Sequence, residues 1–200
     1  MHSNEVIEIM QSLDYPVLCN IRGNHEQAVM TERYDKFSSQ RGRECAMYTR
    51  SVLNENTWNY MTNIQQASGM LEFMIGEKKC LAVHGSLKDI YWKALFPGED
   101  APEYRKYDYV FSGHSHLPHY FEMYYPTDNP VHRNKKKTVF INPGSVGQPR
   151  NLNSMAQYCI LDTDTEQVDM QKIPYDIAKE QAAYHGQVDD FYRERLMSGV

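Results

Sequence analysis

The stretch Tyr109-Val110-Phe111-Ser112-Gly113-His114-Ser115-His116 couples a short apolar run to a glycine loop that carries two histidines. Two other segments share this form. Val17-Leu18-Cys19 runs toward Gly23-Asn24-His25-Glu26, and Leu81-Ala82-Val83 ends at His84-Gly85. Strand ends that feed tight glycine loops are where α/β folds place reactive groups. The pattern implies an α/β fold in which four imidazoles and a side-chain amide meet on one rim. Imidazole with oxygen donors suits Zn, Mn, Fe or Ni better than Ca.

Each residue has a plainer reading. His114 and His116, two apart on an extended segment, would point to the same side, or would simply cap loose backbone in a polar turn. Asn24 beside Gly23 is an ordinary left-handed turn residue, and a lone His-Gly at a strand end is a turn. These readings hold singly and fail jointly, since three such loops occur in one chain.

The order and spacing of the segments resemble the calcineurin-like metallophosphoesterase family, whose later motifs read GNH(E/D), a lone His in GH or HG, and GHxH. Asn142-Pro143-Gly144-Ser145-Val146-Gly147 is similar to the loop that follows the last metal motif in the small bacterial phosphodiesterase branch. The likeness covers roughly residues 4–162. It implies a four-layer α/β/β/α sandwich with two mixed sheets face to face. Two divalent metals (Mn, Fe, Zn or Ni) would serve the hydrolysis of phosphomonoesters or phosphodiesters. By the same resemblance Asn24, His84 and His114 bind one metal, and His116 the other. His25 protonates the leaving oxygen or stabilises phosphoryl charge, or else orients Asn24. Glu26 reads as a first-turn helix carboxylate rather than a ligand. Arg22 has two even readings, a phosphate contact through its guanidinium or a surface arginine. Arg150 follows the Asn-Pro-Gly loop and is expected over the site.

The family opens with D-x-H and then G-D, and nothing before Gly23 matches either motif. The start, Met1-His2-Ser3-Asn4-Glu5-Val6-Ile7-Glu8, resembles the helix that follows G-D. The chain thus reads as a member lacking its first β-α-β unit and with it the bridging aspartate. Two functions follow as expectations. One is a metal-dependent phosphoesterase whose start was lost by truncation or a misassigned initiation codon, impaired in this form. The other is a catalytically inactive interaction module of the same fold.

Composition sets the frame. Two hundred residues suit a single domain, 1–200, with a real core and a helical tail at about 176–197. Hydrophobic residues at 41% and charged residues at 24% are ordinary for a globular chain. A net charge of −5 argues against general nucleic-acid binding and leaves room for a local phosphate site. Cys19, Cys45, Cys80 and Cys159 are scattered, as expected of reduced thiols in a cytoplasmic protein. No apolar stretch is long enough for a membrane span. The partners expected are a phosphorylated small molecule, nucleotide or phosphoprotein, with self-association through exposed apolar edges.

Periodicity predicts a helix over 3–13, a buried strand over 16–21, interrupted helices over 26–64, and a hairpin over 70–83. Further strands are expected at 107–111, 119–125, 138–141, 157–161 and 167–173, with His119 an exposed strand residue and the basic tip at 133–137 a solvated turn. One helix with a weak point at Gly186 is expected over 176–196.

Overall fold

A central strand must be apolar on both sides, and the run Cys80-Leu81-Ala82-Val83 is buried along its whole length. In the computed structural model, which describes residues 1–64 and 68–200, this run forms most of β2 (Lys78–Val83). Around it lies a five-stranded sheet built with β1 (Met70–Ile75), β3 (Tyr109–Ser112), β4 (His119–Pro126) and β5 (Lys135–Asn142), ordered β1-β2-β3-β5-β4. The inner strands β2, β3 and β5 are parallel, and the two edge strands are antiparallel. Parallel strands expose all their carboxyl ends at one edge of the sheet, which gathers His84, the 113–116 loop and the 143–148 loop.

The register divides the side chains cleanly. Leu81, Val110 and Phe140 face one side, where Leu95, Tyr104 and Tyr107 of the long 84–108 connection cover them. Cys80, Tyr109, Val139 and Ile141 face the other, under a hairpin of β6 (Ala156–Asp162) and β7 (Gln167–Ile173) that supplies Cys159, Leu161 and Val168. The α/β class holds, and the second sheet is a two-stranded antiparallel hairpin rather than a mixed sheet. Its two strands are sequence neighbours joined by a tight turn, which permits only antiparallel pairing.

Helices α2 (Asn24–Thr31), α3 (Gln40–Val52) and α4 (Glu55–Asn63) share a second core of Ala28, Val29, Phe37, Ala46 and Met61. Helix α1 (Ser3–Ser12) forms as its periodicity predicts, yet it buries none of its residues. It is held by Asn4, which donates to the Val52 carbonyl (2.8 Å) and accepts from Asn54 N–H (3.0 Å).

Three expectations need correction. Residues 16–20 form no strand, and Val17 and Leu18 are 69% and 61% exposed. A strand is stable only beside a hydrogen-bonding neighbour, and no described strand pairs with this segment. The tail is not one helix but α5 (Ile177–Gln181) and α6 (Phe191–Ser198). Gly186 between them sits at φ +82°, a conformation that ends helices. His119 is half-buried rather than exposed, its ring against Phe96 and Phe121. All four cysteines are free, and among the described residues no helix is long and apolar enough to cross a membrane.

Candidate metal centre

The loops at the carboxyl edge are locked by backbone contacts. After β2, Gly85 N–H donates to Ile90 O (2.7 Å) and Ser86 N–H to Asp89 O (3.1 Å). A Cβ at Gly85 would lie 2.8 Å from the carbonyls of Asp89 and Lys93, so only glycine fits this coil. His84 O accepts from Gly113 N–H (2.9 Å), tying the second histidine loop to the first. Asn142, fully buried at the end of β5, donates to Gly113 O (2.9 Å) and to Ser115 Oγ (3.1 Å). Its own Oδ1 accepts from Gly144 N–H (3.0 Å).

Asn24, His84 and His114 converge. Asn24 opens α2, where Glu26 accepts from Gly23 N–H (2.8 Å), the first-turn role expected of that carboxylate. Asn24 Oδ1 lies 2.9 Å from His84 Nε2, and His114 Nδ1 lies 3.3 Å from the same nitrogen. A single Nε2 cannot donate its one proton at full strength to both neighbours. Donors about 2.1 Å from a common ion sit about 3.0–3.4 Å from one another, so these separations fit a shared cation. Among the described residues no three His, Cys, Asp or Glu side chains are grouped to hold an ion. The cluster is two imidazoles and an amide, all neutral donors.

His116 is placed differently. His114 and His116 both adopt left-handed backbone, at φ +59° each, and the segment between them is not extended. The extended geometry behind the two-apart reading is therefore corrected, and the two rings take different partners: His114 Nδ1 lies near His84, whereas His116 Nδ1 pairs with Gln148 O at 2.7 Å. That bond orients the ring and leaves Nε2 as its remaining ring nitrogen. Two non-glycine residues in αL conformation store strain that a surrounding hydrogen-bond frame must hold.

His25 is exposed at the rim, edge-on to Phe37 (4.9 Å between centroids), and Phe37 in turn meets Trp92. Trp92 closes this aromatic wall against His114. A cleft of about 520 Å³ opens beside His25 and His84, lined across from them by Val6, Ile7 and Met10 of α1. Burial lowers the pKa of His84 to about 3, and the neighbouring imidazoles of His114, His116 and His25 add to this. His116 falls to about 4, through burial first and the Arg150 charge second. His114 is lowered by the same two causes, and its backbone hydrogen bond with Trp92 opposes them. His25, though open at the rim, has its ring packed on Phe37, and this desolvation lowers its pKa, opposed by Glu26 and reinforced by Arg150. All four rings are thus held neutral, the form that ligates metal.

Arg150 is an exposed residue whose charge reaches His25, His114 and His116, and its N–H donates to His116 O (3.3 Å). Arg22 is turned elsewhere. Its Nε and Nη2 donate to the carbonyls of Met61 (3.1 Å) and Thr62 (2.9 Å) at the end of α4. A cation is drawn to the unpaired carbonyls of a helix C-terminus, so both sequence readings of Arg22, phosphate contact and surface arginine, give way to a buried helix clamp. Sequence reasoning missed Trp92, Phe37 and Gln148, which lie outside the motifs and reach the site through long-range packing.

Residues 2–166 match the calcineurin-like phosphoesterase superfamily domain. The chain is 26% identical over 201 residues to an uncharacterized protein of Methanocaldococcus jannaschii, covering 98% of this chain and 80% of that protein. It is similar in structure to a metallophosphoesterase from Sphaerobacter thermophilus (TM-score 0.67, 24% identity, 98% of this chain and 82% of that one). It is also similar to a hypothetical protein from Pyrococcus horikoshii OT3 (TM-score 0.74, 18% identity, 99% and 80%). At these identities the two structures show a shared fold. The match to the superfamily domain shows the family, and the chain belongs to the calcineurin-like phosphoesterases.

Proposed function

We propose that this calcineurin-like phosphoesterase chain, as one domain spanning residues 1–200, hydrolyses phosphomonoesters or phosphodiesters at the carboxyl edge of its sheet. The observation that carries the reading is the meeting of Asn24 Oδ1 and His114 Nδ1 on His84 Nε2. Asn24, His84 and His114 would hold one divalent ion, with His116 beside it for a second. A bound ion supplies Lewis acidity toward the phosphoryl oxygens.

The remaining residues act on the substrate. Arg150, exposed and close to three imidazoles, contacts the phosphoryl oxygens through its planar fork. His25 is neutral in the free chain. An arriving phosphate brings negative charge that favours the imidazolium, so substrate itself arms His25 to protonate the leaving oxygen. Three neutral donors without a carboxylate hold a dication weakly, so slow turnover is part of the proposal. Substrates would be phosphorylated small molecules, nucleotides or phosphoproteins in the cytoplasm, a setting supported by the free cysteines.

The inactive-module reading is favoured by one observation, the turning of nearby carboxylates to other work. Glu26 holds Gly23 N–H, and Asp89 holds Tyr91 and Trp92 N–H. The two readings separate in one experiment. The chain is dialysed to equilibrium against a fixed concentration of Mn²⁺, Zn²⁺, Ni²⁺ or Fe²⁺, and bound metal and hydrolysis of p-nitrophenyl phosphate and its diester are measured at that free-ion concentration. Bound metal with hydrolysis, both lost in His114→Ala, is the expected result. Metal content no higher than that of His114→Ala would overturn the site, and bound metal without turnover would favour the inactive module.

A further inference from the structure

Beside His116, three arginines from distant parts of the chain come together. Arg150 lies on the loop after β5, Arg41 in the first turn of α3, and Arg195 in α6. Helix α6 is fastened over this loop: Leu152 N–H donates to Gly199 O (2.9 Å), and Gly199 N–H to Arg195 O (2.8 Å). The fit is tight, since a Cβ on Gly199 would lie 2.2 Å from Asn153 O. The guanidinium carbons of Arg41 and Arg195 lie 4.0 and 4.9 Å from the centroid of the Phe191 ring. Arg195 Nη1 is 3.4 Å from Gln148 Oε1, on the residue whose carbonyl orients His116.

The charges are unbalanced. Arg33, Arg50 and Arg193 have carboxylate partners, whereas among the described residues Arg41, Arg150 and Arg195 have none. Arg195 is only 7% exposed, and its Nε is buried without a hydrogen-bond partner among those residues. The Tyr192 ring lies within electrostatic reach of all three guanidinium groups. Like charges crowded in this way repel, and burial without a counter-charge raises the cost. An anion is the group that relieves both, and guanidinium forks match phosphoryl oxygens in geometry.

We propose that Arg41 and Arg195 bind a second phosphoryl group of the substrate, next to the one that Arg150 faces, so that the preferred substrates carry at least two. The proposal rests on the phosphoesterase reading above and narrows its substrate class. The hydrolysed phosphoryl group occupies the histidine cluster, and its companion lies toward α6.

Two measurements on the full chain test this. Calorimetric titration of the metal-free chain compares tripolyphosphate with orthophosphate. Tripolyphosphate should bind at least about tenfold tighter, the worth of one charge-assisted hydrogen bond. Arg41→Gln and Arg195→Gln should each remove most of that advantage, and Lys136→Gln, in the basic β4–β5 hairpin, should leave it intact. Arg41 is exposed, so its variant keeps the test decisive even where Arg195→Gln misfolds. The metal-loaded chain should then show at least about tenfold higher kcat/KM for a nucleoside 3′,5′-bisphosphate than for the 5′-monophosphate, a ratio that Arg41→Gln collapses. Equal binding of the two anions, an advantage untouched by Arg41→Gln, an equal loss in Lys136→Gln, or equal kcat/KM values would each overturn the proposal. Failure of the phosphoesterase reading looks different: tripolyphosphate binds through the arginines while metal content and hydrolysis are absent.

Discussion

The two histidine-bearing sides of the site are built by different means. His84 directly follows β2 and His114 lies two residues past the end of β3, so the register of these parallel strands places both, and backbone bonds tie the two loops together. His116, at the end of the 113–116 loop, and Arg150, on the 143–150 loop, are steered by one carbonyl of Gln148 and by contacts from the C-terminal helix. The first side is positioned by the fold's core and collects neutral donors. The second is positioned by surface segments and collects positive charge. On the function proposed above, such a site would hold an ion on the rigid side and read its substrate on the adjustable one.

The sharpest division is between holding metal and doing chemistry. His25→Ala should lower turnover by about 10²–10⁴-fold, the usual worth of general acid catalysis, while elemental analysis finds the metal content unchanged. Loss of metal in that variant would move His25 into the ligand set, and unchanged turnover would remove it from the chemistry.

Glycine substitutions probe the stiffness of the two loops. Gly85→Ala drives a methyl into three backbone carbonyls and should cost about 3 kcal/mol in denaturant unfolding. Gly147→Ala meets nothing within 4 Å, so a change within about 0.5 kcal/mol is expected. Similar costs at both positions would break the contrast between a locked loop and an open one.

Metal titrations should rank the ligands. His84→Ala should weaken binding of the first ion by about 100-fold or more, since even supporting residues around a metal contribute 10–100-fold. For His116→Ala a loss under about tenfold in that same affinity is expected. Equal losses would place both rings on one ion.

The smallest effect is the pH dependence of the metal-free chain. His84 at about 3 and His116 at about 4 lie below the ordinary histidine value of 6.5. Between pH 6.5 and 4 the unfolded chain therefore binds more protons than the folded one. Stability is complete above pH 6.5 and falls as the pH drops toward these values. Melting temperatures should be level from pH 8 to 7 and decline from 6.5 to 5, before ordinary carboxylates titrate. His116→Asn should flatten that decline, and a wild-type profile level down to pH 5 would show that these rings are not held neutral.

Much of this molecule was legible in the chain alone. The strands at 70–83 and 156–173 follow from apolar runs and turn residues, local signals that need no partner to be read. Asn24, His84 and His114 stand out in the sequence by their motifs; the parallel order of β2 and β3 brings His84 and His114 to one edge, and Asn24 at the start of α2 reaches His84 from the helical layer. Tertiary structure decided the rest. Residues 16–20 carry strand composition, yet strand formation depends on a neighbour that the segment itself cannot specify. Arg22 sits beside a phosphate-type motif, but the carbonyls closing α4, forty residues away, claim its guanidinium. His116 takes a different partner from His114 because the carbonyl of Gln148, on a loop far along the chain, meets its Nδ1. The arginine cluster has no sequence signature, because Arg41, Arg150 and Arg195 become neighbours only when α6 folds back over the site.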